Sequence, residues 1–141
     1  MPGPEPPSRV VFDTNVWISF LIGKQLQRLR PLLARQAVTV VVAEELLAEL
    51  AEVVQRPKLA RYFNPEKARD LIQYLRLSGH MVRIASEVNI CRDAKDNFLL
   101  ALAQDAQANF LVTGAQDLLV LGDFGQTRII TPAAFDAEFQ V

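Results

Sequence analysis

The strongest constraint on the fold is the alternation of short apolar runs with helical segments along the chain. The runs predicted as strands are residues 9–13, 38–42, 81–84, 110–113 and 128–130. The segments predicted as helices are residues 15–22, 26–36, 43–55, 65–77, 95–108, 117–121 and 132–139. Strands that are apolar on both faces need cover on both sides, so this order predicts a parallel sheet between two helical layers. We expect a three-layer α/β/α sandwich with a central parallel sheet of about five strands.

Length and composition limit the class of protein. A chain of 141 residues is expected to form one domain, which we predict at residues 9–141 behind a flexible Pro-rich tail at residues 1–8. The balance of 15 Lys and Arg against 16 Asp and Glu excludes a polycation, so nucleic-acid binding would need a local basic patch. No apolar run reaches the roughly 20 residues of a membrane span, and the first residues lack the pattern of a secretory signal. We therefore predict a soluble cytoplasmic protein with no membrane partner.

Acidic side chains follow the predicted strands at the edge where parallel α/β folds bind their ligands. Asp13 ends the first strand, and Asp117 follows the fourth. Glu49 lies at the margin of the apolar stripe of its helix, and Asp96 shares a helix face with Leu99. Because ligand sites in such folds lie beyond the carboxyl ends of the strands, we expect these four carboxylates to converge.

Each acid also has a purely structural interpretation. Asp13 and Asp117 are suitable helix N-caps, and Glu49 is compatible with an exposed helix flank. Asp93 is predicted to cap the helix that follows it, with Asp96 placed three residues later as in a capping box. The inward direction of Asp96 nevertheless favours a functional role for that residue.

Several carboxylates at one place indicate a cation site, because like charges repel and a bound cation offsets that cost. Oxygen ligands favour Mg²⁺ or Mn²⁺. His80 and Cys91 are each the only residue of their type, and we interpret both as structural. The chain has no Gly-rich phosphate loop and no nucleophile paired with a base. The residues therefore predict hydrolysis of a phosphodiester by water that a metal ion activates.

Four blocks, in order, resemble PIN-domain proteins. They are VVFDTNVWIS at 10–19, EELLAEL at 44–50, CRDAKDNFLL at 91–100 and LVTGAQDLL at 111–119. The similarity runs from about Arg9 to Phe135, and the most similar group is the toxins of prokaryotic toxin–antitoxin systems. The resemblance implies a Mg²⁺- or Mn²⁺-dependent endoribonuclease with RNA as its substrate. It also implies a homodimer held inactive by a cognate antitoxin protein.

The resemblance assigns roles by position. The catalytic, metal-binding acids of the family fall on Asp13, Glu49 and Asp96, with Asp117 as a further candidate ligand. The supporting residues are Thr14, Asn15, Asp93 and Thr113. One position departs from the pattern, since Ala115 stands where the family has an acid two residues after the threonine. A site with fewer acids has fewer ligands and less charge, so the alternative function is a weak or inactive relative that binds RNA or a protein partner.

Basic residues near these blocks are candidates for RNA binding. The densest basic stretch lies at residues 56–69 and begins with Arg56 and Lys58, and Arg92 lies beside the third block. Such stretches also occur as ordinary solvated helix faces.

A phosphoacceptor domain on a similar sheet is a third hypothesis for the function of the protein. It is disfavoured because no Lys follows Thr113 or Ile130 and Asn15 stands where a second acid is needed.

Overall fold

The computed structural model describes residues 6–23 and 26–139. Its strands are β1 (Ser8–Phe12), β2 (Val38–Val42), β3 (His80–Met81), β4 (Phe110–Val112), β5 (Asp123–Phe124) and β6 (Thr127–Ile130). Its α-helices are α1 (Thr14–Gly23), α2 (Leu29–Ala34), α3 (Glu44–Val53), α4 (Pro65–Ser78), α5 (Asn97–Ala106), α6 (Gln116–Leu119) and α7 (Pro132–Phe139). Short 3-10 turns occupy Leu26–Arg28, Pro57–Leu59 and Ala94–Asp96.

The strands form one sheet in the order β3-β2-β1-β4-β6-β5. Every neighbouring pair is parallel except β5 with β6. The central strand is β1, in which Val10 pairs with Val40 of β2 and with Phe110 of β4. The predicted α/β architecture is confirmed, but the sheet has six strands. The prediction omits β5 because Asp123 and Phe124 form no apolar run of their own and pair only through a tight turn to β6.

Side chains of the central strands alternate between two cores, one on each face of the sheet. Val10 and Phe12 belong to the core formed with α1, α2, α4 and α7, whereas Val11 belongs to the core formed with α5 and α6. Because successive residues of a strand point to opposite faces, this division requires helices on both sides. The alternation therefore produces the three predicted layers.

An aromatic cluster attaches α1 to the sheet. The ring of Phe12 lies 5.0 Å from Trp17, 5.9 Å from Phe20 and 5.2 Å from Phe135, measured between centroids. These tilted and edge-on arrangements add to the stabilisation from burial of the rings. The cluster holds the first turns of α1 directly beyond the end of β1, where the first predicted acid lies.

The third strand is shorter than predicted. The apolar alternation predicts a strand over residues 81–84, but only His80 and Met81 pair with β2. The reason is that β2 ends at Val42, whose carbonyl accepts the last bond, from the Val82 amide at 2.8 Å. Beyond that point α3 begins, and no neighbouring strand remains for residues 83 and 84.

Two predicted helices also have different bounds. The predicted helix at 26–36 is a 3-10 turn followed by α2, and Pro31 lies in the first turn of α2, where its missing amide is not needed. The predicted helix at 95–108 begins as a 3-10 turn, continues as α5 from Asn97 and ends at Ala106. Gln107 then adopts a left-handed conformation with φ of 52° and reverses the chain towards β4.

The ends of the chain bear on two predictions. Residues 1–5 of the predicted tail lie outside the described residues, and β1 begins at Ser8, one residue earlier than predicted, with the Ser8 amide donating to the Ala37 carbonyl at 2.9 Å. Among the helices described, none combines the length and apolar character needed to cross a membrane.

Candidate active site

Asp13 lies at the junction between the central strand and the first helix. Its backbone amide donates to the Val112 carbonyl of β4 at 3.0 Å, which extends the sheet by one bond. Its carbonyl accepts from the amides of Val16 and Trp17, so α1 starts at this point. Asp13 is only 6% exposed. The fold therefore places a carboxylate in a nearly dry position at the carboxyl edge of the sheet.

Thr113 supports that carboxylate from the neighbouring strand. Its hydroxyl, which is fully buried, donates to Asp13 Oδ2 at 2.7 Å. Burial raises the pKa of Asp13 above its usual value, whereas the hydrogen bonds from Thr113 and from the backbone amides of Asn15 and Thr14 lower it, and burial prevails. Asp13 thus also receives the backbone bonds of a helix N-terminus, and its structural and functional interpretations are compatible.

Glu49 reaches the same edge from α3. Its Oε2 accepts a hydrogen bond from the Thr14 hydroxyl at 2.9 Å, although the two residues are 35 apart in sequence. Thr14 directly follows Asp13 and is itself buried. Glu49 is half-buried, whereas Glu45 and Glu52 of the same helix are exposed. The hydrogen bond from Thr14 to Glu49 therefore places the acid of the second sequence block, residues 44–50, beside the first block, residues 10–19.

Asp96 faces the other acids. It ends the 3-10 turn before α5, and its side chain is half-buried. Its pKa is raised to about 6, first by burial and then by repulsion from the carboxylates of Asp13, Asp93, Glu49 and Asp117. Repulsion between partly buried charges is screened less than repulsion between exposed charges, so these acids affect Asp96 without touching it. The four acids expected to converge therefore share one electrostatic environment.

Asp93 acts as the predicted cap. Its Oδ1 accepts from the Lys95 amide at 3.1 Å, and its carbonyl accepts from the Asp96 amide at 3.0 Å. The helix that it caps is the 3-10 turn rather than α5 itself. Among the described residues Asp96 makes no reciprocal side-chain bond, so only half of the predicted capping box is present.

Asp117 is not the cap of its helix, and that interpretation is wrong. Ala115 occupies the N-cap position of α6, and the Ala115 amide donates to the Thr113 hydroxyl at 3.0 Å. Asp117 lies instead in the first turn, half-buried and near enough to Asp96 to raise its pKa. The chain turns at Ala115 because the Thr113 hydroxyl accepts from the amide two residues later, so α6 begins at Gln116 and no side chain caps it.

The segment that leads to Asp96 is held in place by contacts that the sequence did not predict. The Cys91 amide donates to Asn97 Oδ1 at 2.9 Å, and the Cys91 thiol donates to the Asp117 carbonyl at 3.5 Å. Burial raises the pKa of this thiol, and the nearby carboxylates raise it further, so Cys91 stays protonated and structural. The position of Asn97, directly after the third acid, is the one sequence signal of its role.

Asp105 of α5 holds an earlier part of this segment, at Ala85 and Ser86, which lies farther from the site. Its Oδ2 accepts from the amides of Ala85 at 2.6 Å and Ser86 at 2.9 Å, and its Oδ1 accepts from the Ser86 hydroxyl. These bonds lower the pKa of Asp105 below its usual value. They satisfy the backbone of a stretch that has no strand partner beyond Val82.

The predicted RNA-binding residues are exposed. Arg92 and Lys58 lie on the surface, and Arg56 forms an ion pair with Glu52 of α3 at 3.4 Å. Arg92 lies next to the turn that carries Asp96, whereas Arg56 and Lys58 lie beyond the far end of α3. Of these three residues, only Arg92 directly adjoins a segment that presents one of the acids.

The acids suit a divalent cation by donor type and by charge. All their ligand atoms are oxygens, and the raised pKa of Asp96 reflects repulsion that a cation would relieve. Within residues 6–23 and 26–139, however, no group of three such side chains is arranged closely enough to hold a metal ion. A bound cation would therefore need these side chains closer together than they lie in this structure.

Comparison with known proteins identifies the family of the chain. A family model described as PIN domain matches residues 9–117, more than three quarters of the chain, and spans all four acids. No curated protein matches the chain. PIN domains are generally nucleases and typically use divalent metal ions. The chain belongs to the PIN-domain family.

Proposed function

We propose that this protein is a metal-dependent endoribonuclease whose active centre is the acidic edge of the sheet. The observation that carries the proposal is the environment of Asp96, whose pKa is raised to about 6 by burial together with four neighbouring carboxylates. A fold gains no stability by gathering acids in this way. A shared ligand of positive charge would account for the nearness of Asp13 and Glu49 to Asp96 that supports this proposal.

The residues take distinct roles in this proposal. Asp13 and Asp96 hold Mg²⁺ or Mn²⁺, and Glu49 completes the ligand set with Asp117 as a further ligand. A bound cation of this kind supplies activation of water and neutralisation of phosphate charge. Thr113 fixes the Asp13 carboxylate through its 2.7 Å bond, and Thr14 orients Glu49 through its 2.9 Å bond. Asn15 contributes its backbone amide to Asp13, and Asp93 shapes the turn that presents Asp96.

An RNA substrate also needs basic residues around an acidic centre. The formal net charge is −1, so binding depends on local cations rather than on the whole surface. Arg92 is the first candidate because it is exposed and precedes the Asp93–Asp96 turn by one residue. Arg56 and Lys58 are weaker candidates, since Arg56 is already paired with Glu52.

We further propose that the protein is the toxin of a toxin–antitoxin pair and acts in the cytoplasm as a homodimer. The support is the resemblance of the four blocks at 10–19, 44–50, 91–100 and 111–119 to such toxins. Residues 9–141 would form the single domain of each subunit. A neighbouring gene for a small DNA-binding antitoxin would support this assignment, and sedimentation of the purified chain as a monomer would contradict the dimer.

The alternative function is a weak or inactive relative that binds RNA or a protein partner. It rests on Ala115, which occupies the N-cap position of α6 without a carboxylate. Ala115 is connected to the centre, since its amide bonds the Thr113 hydroxyl and that hydroxyl bonds Asp13. An acid is therefore absent from a position adjacent to the proposed site.

The deciding experiment is cleavage of single-stranded RNA in Mn²⁺, with Mn²⁺ binding followed by calorimetry. We expect cleavage by the native protein and its loss, together with weaker Mn²⁺ binding, in Asp13→Asn and Asp96→Asn. The matched control is Asp123→Asn, because Asp123 is exposed on the edge strand β5 and should leave both properties unchanged. Absence of both cleavage and Mn²⁺ binding in the native protein would refute the nuclease and favour the binding module.

A further inference from the structure

A cavity of about 560 Å³ lies on the opposite helical layer from α5, between α1, α2 and α4. Small-molecule sites typically occupy about 300–1,000 Å³ and are lined mainly by apolar and aromatic side chains. The walls here include the buried side chains of Phe20, Leu71 and Leu75. None of the four acids of the proposed active centre lines this cavity. Its size and lining are those of a separate ligand site.

Trp17 forms part of the wall and has an unmet hydrogen bond. The residue is 2% exposed, and its ring packs against Phe12 and Phe20. Among the described residues, the indole Nε1 is the one buried side-chain polar atom that lacks a hydrogen-bond partner. An indole N–H can only donate, so the missing acceptor is a cost within the fold itself. Because less than 1 Å² of this atom is accessible, the N–H is closed to the cavity, and Trp17 contributes the apolar part of its ring to the wall.

The charges on the walls favour an anionic ligand. Arg30 of α2 and Lys67 of α4 line the cavity from two sides, and neither has an ion pair within the described part of the chain. Asp70 is the one acid on the walls. Two cations against one acid leave the lining with an excess of positive charge.

We propose that this cavity binds a small monocarboxylate with an apolar body. The apolar body lies against Phe20, Leu71 and Leu75, and the carboxylate faces Arg30 and Lys67. This site is distinct from the acidic edge, and its occupancy does not depend on nuclease activity.

The test uses decanoate as the probe and the fluorescence of Trp17, the only tryptophan of the chain, as the signal. At concentrations below micelle formation, we expect a saturable change with one decanoate bound per chain, confirmed by calorimetry. Octanoate should bind about fifteenfold more weakly, because each buried methylene contributes about fourfold in affinity. Decanol should bind less tightly than decanoate, and acetate should not bind.

Variants distinguish the proposed contacts from nonspecific hydrophobic binding. Arg30→Gln and Lys67→Gln should each weaken decanoate binding about three- to fivefold, since both cations are exposed, and should leave decanol binding unchanged. Arg69→Gln is the control, because Arg69 is an exposed cation of α4 that does not line the cavity. No saturable binding by either measurement, or equal binding of decanoate and decanol, would overturn the proposal. Since the readout is binding, failure here is independent of the outcome of the RNA cleavage test.

Discussion

The Thr113 hydroxyl donates a hydrogen bond to Asp13 Oδ2 at 2.7 Å across the two central strands, although the residues are 100 apart in sequence. Parallel pairing of Phe12 with Val112 brings the residue after each strand to the same edge. The same hydroxyl accepts from the Ala115 amide at 3.0 Å, so one side chain links the first acid to the start of α6. The sheet register therefore fixes the orientation of the most buried carboxylate.

Replacing Thr113 by valine tests this link. Thr113→Val keeps the shape but removes the donor to Asp13 and the acceptor for Ala115. Because Asp13 is only 6% exposed, we expect the free energy of unfolding at pH 7 to fall by about 1.5–3 kcal/mol, measured in urea. Thr113→Ser retains the hydroxyl and should lose less than half as much. Equal losses in the two variants would show that the methyl group, and not the hydrogen bond, is responsible.

Asp96 should make metal-free stability depend on pH. Its folded-state pKa of about 6 exceeds its ordinary value of 3.8, so the folded protein holds this proton more tightly than the unfolded chain. The stabilising contribution is present below about pH 4 and is lost as the pH rises to about 6. Asp96→Asn should remove this dependence. At pH 7 with EDTA it should stabilise the fold by about 1 kcal/mol, a value discounted for the half-exposed side chain.

The control for this prediction is Asp123→Asn, in which an exposed acid of β5 is neutralised far along the sheet. Its unfolding free energy should stay within about 0.5 kcal/mol of the native protein at every pH. The prediction concerns urea unfolding between pH 4 and 7 without divalent cations. An Asp96→Asn protein that is less stable than the native one at pH 7 would contradict the repulsion among the acids.

Asp105 should govern the mobility of the segment after β3. Asp105→Asn loses the charged acceptor for the amides of Ala85 and Ser86, so we expect these amides to exchange with solvent roughly tenfold faster. The pKa of Asp105 is lowered in the fold, so its stabilisation is present above its ordinary pKa and is lost as the pH falls through the lower value. Unchanged exchange at these two amides in the variant would show that the backbone alone holds the segment.

Local patterns predict the parts of the fold that depend on apolar periodicity. The strand at 38–42 and the helix at 132–139 have the predicted bounds: the strand is a complete apolar run, and the helix begins at Pro132, a residue suited to the first turn. The predicted strand at 81–84 is too long, because the end of β2 at Val42 removes its partner. Strand length depends on the neighbour, and that information lies about 40 residues away in the chain.

The site shows the same division between local and distant information. The sequence predicts that Asp13 and Asp96 lie at the carboxyl edge of the sheet; the structure places Asp13 directly after β1 and Asp96 in the turn before α5. The contacts from Thr14 to Glu49 and from Cys91 to Asn97 depend on how elements pack together. Likewise, Asp117 has the residue type of a cap, but the turn at Ala115 starts α6 at Gln116, so Asp117 lies inside the first turn. Residue type alone does not reveal where that turn begins.

Substitutions at Ala115 distinguish a metal site that is weakened from one that is absent. It occupies an N-cap position with no side-chain bond and an extended backbone, φ −77° and ψ 120°, that suits Asp or Asn equally. Ala115→Asn should therefore raise the unfolding free energy by about 0.5–2 kcal/mol through capping alone. Ala115→Asp should gain less in EDTA, because the added charge repels the acids nearby.

In Mn²⁺ binding, Ala115→Asp should gain more than Ala115→Asn, which is the reverse of their order in stability. We expect Ala115→Asp to bind Mn²⁺ about tenfold more tightly than the native protein, as measured by calorimetry, and to cleave RNA faster, since it adds a charged oxygen ligand. Ala115→Asn supplies the same cap without the charge and should stay close to the native affinity. Equal Mn²⁺ affinities for the Asp and Asn variants would show that residue 115 is not a ligand position. The acids already present, Asp13, Glu49, Asp96 and Asp117, would then have to account for all metal binding.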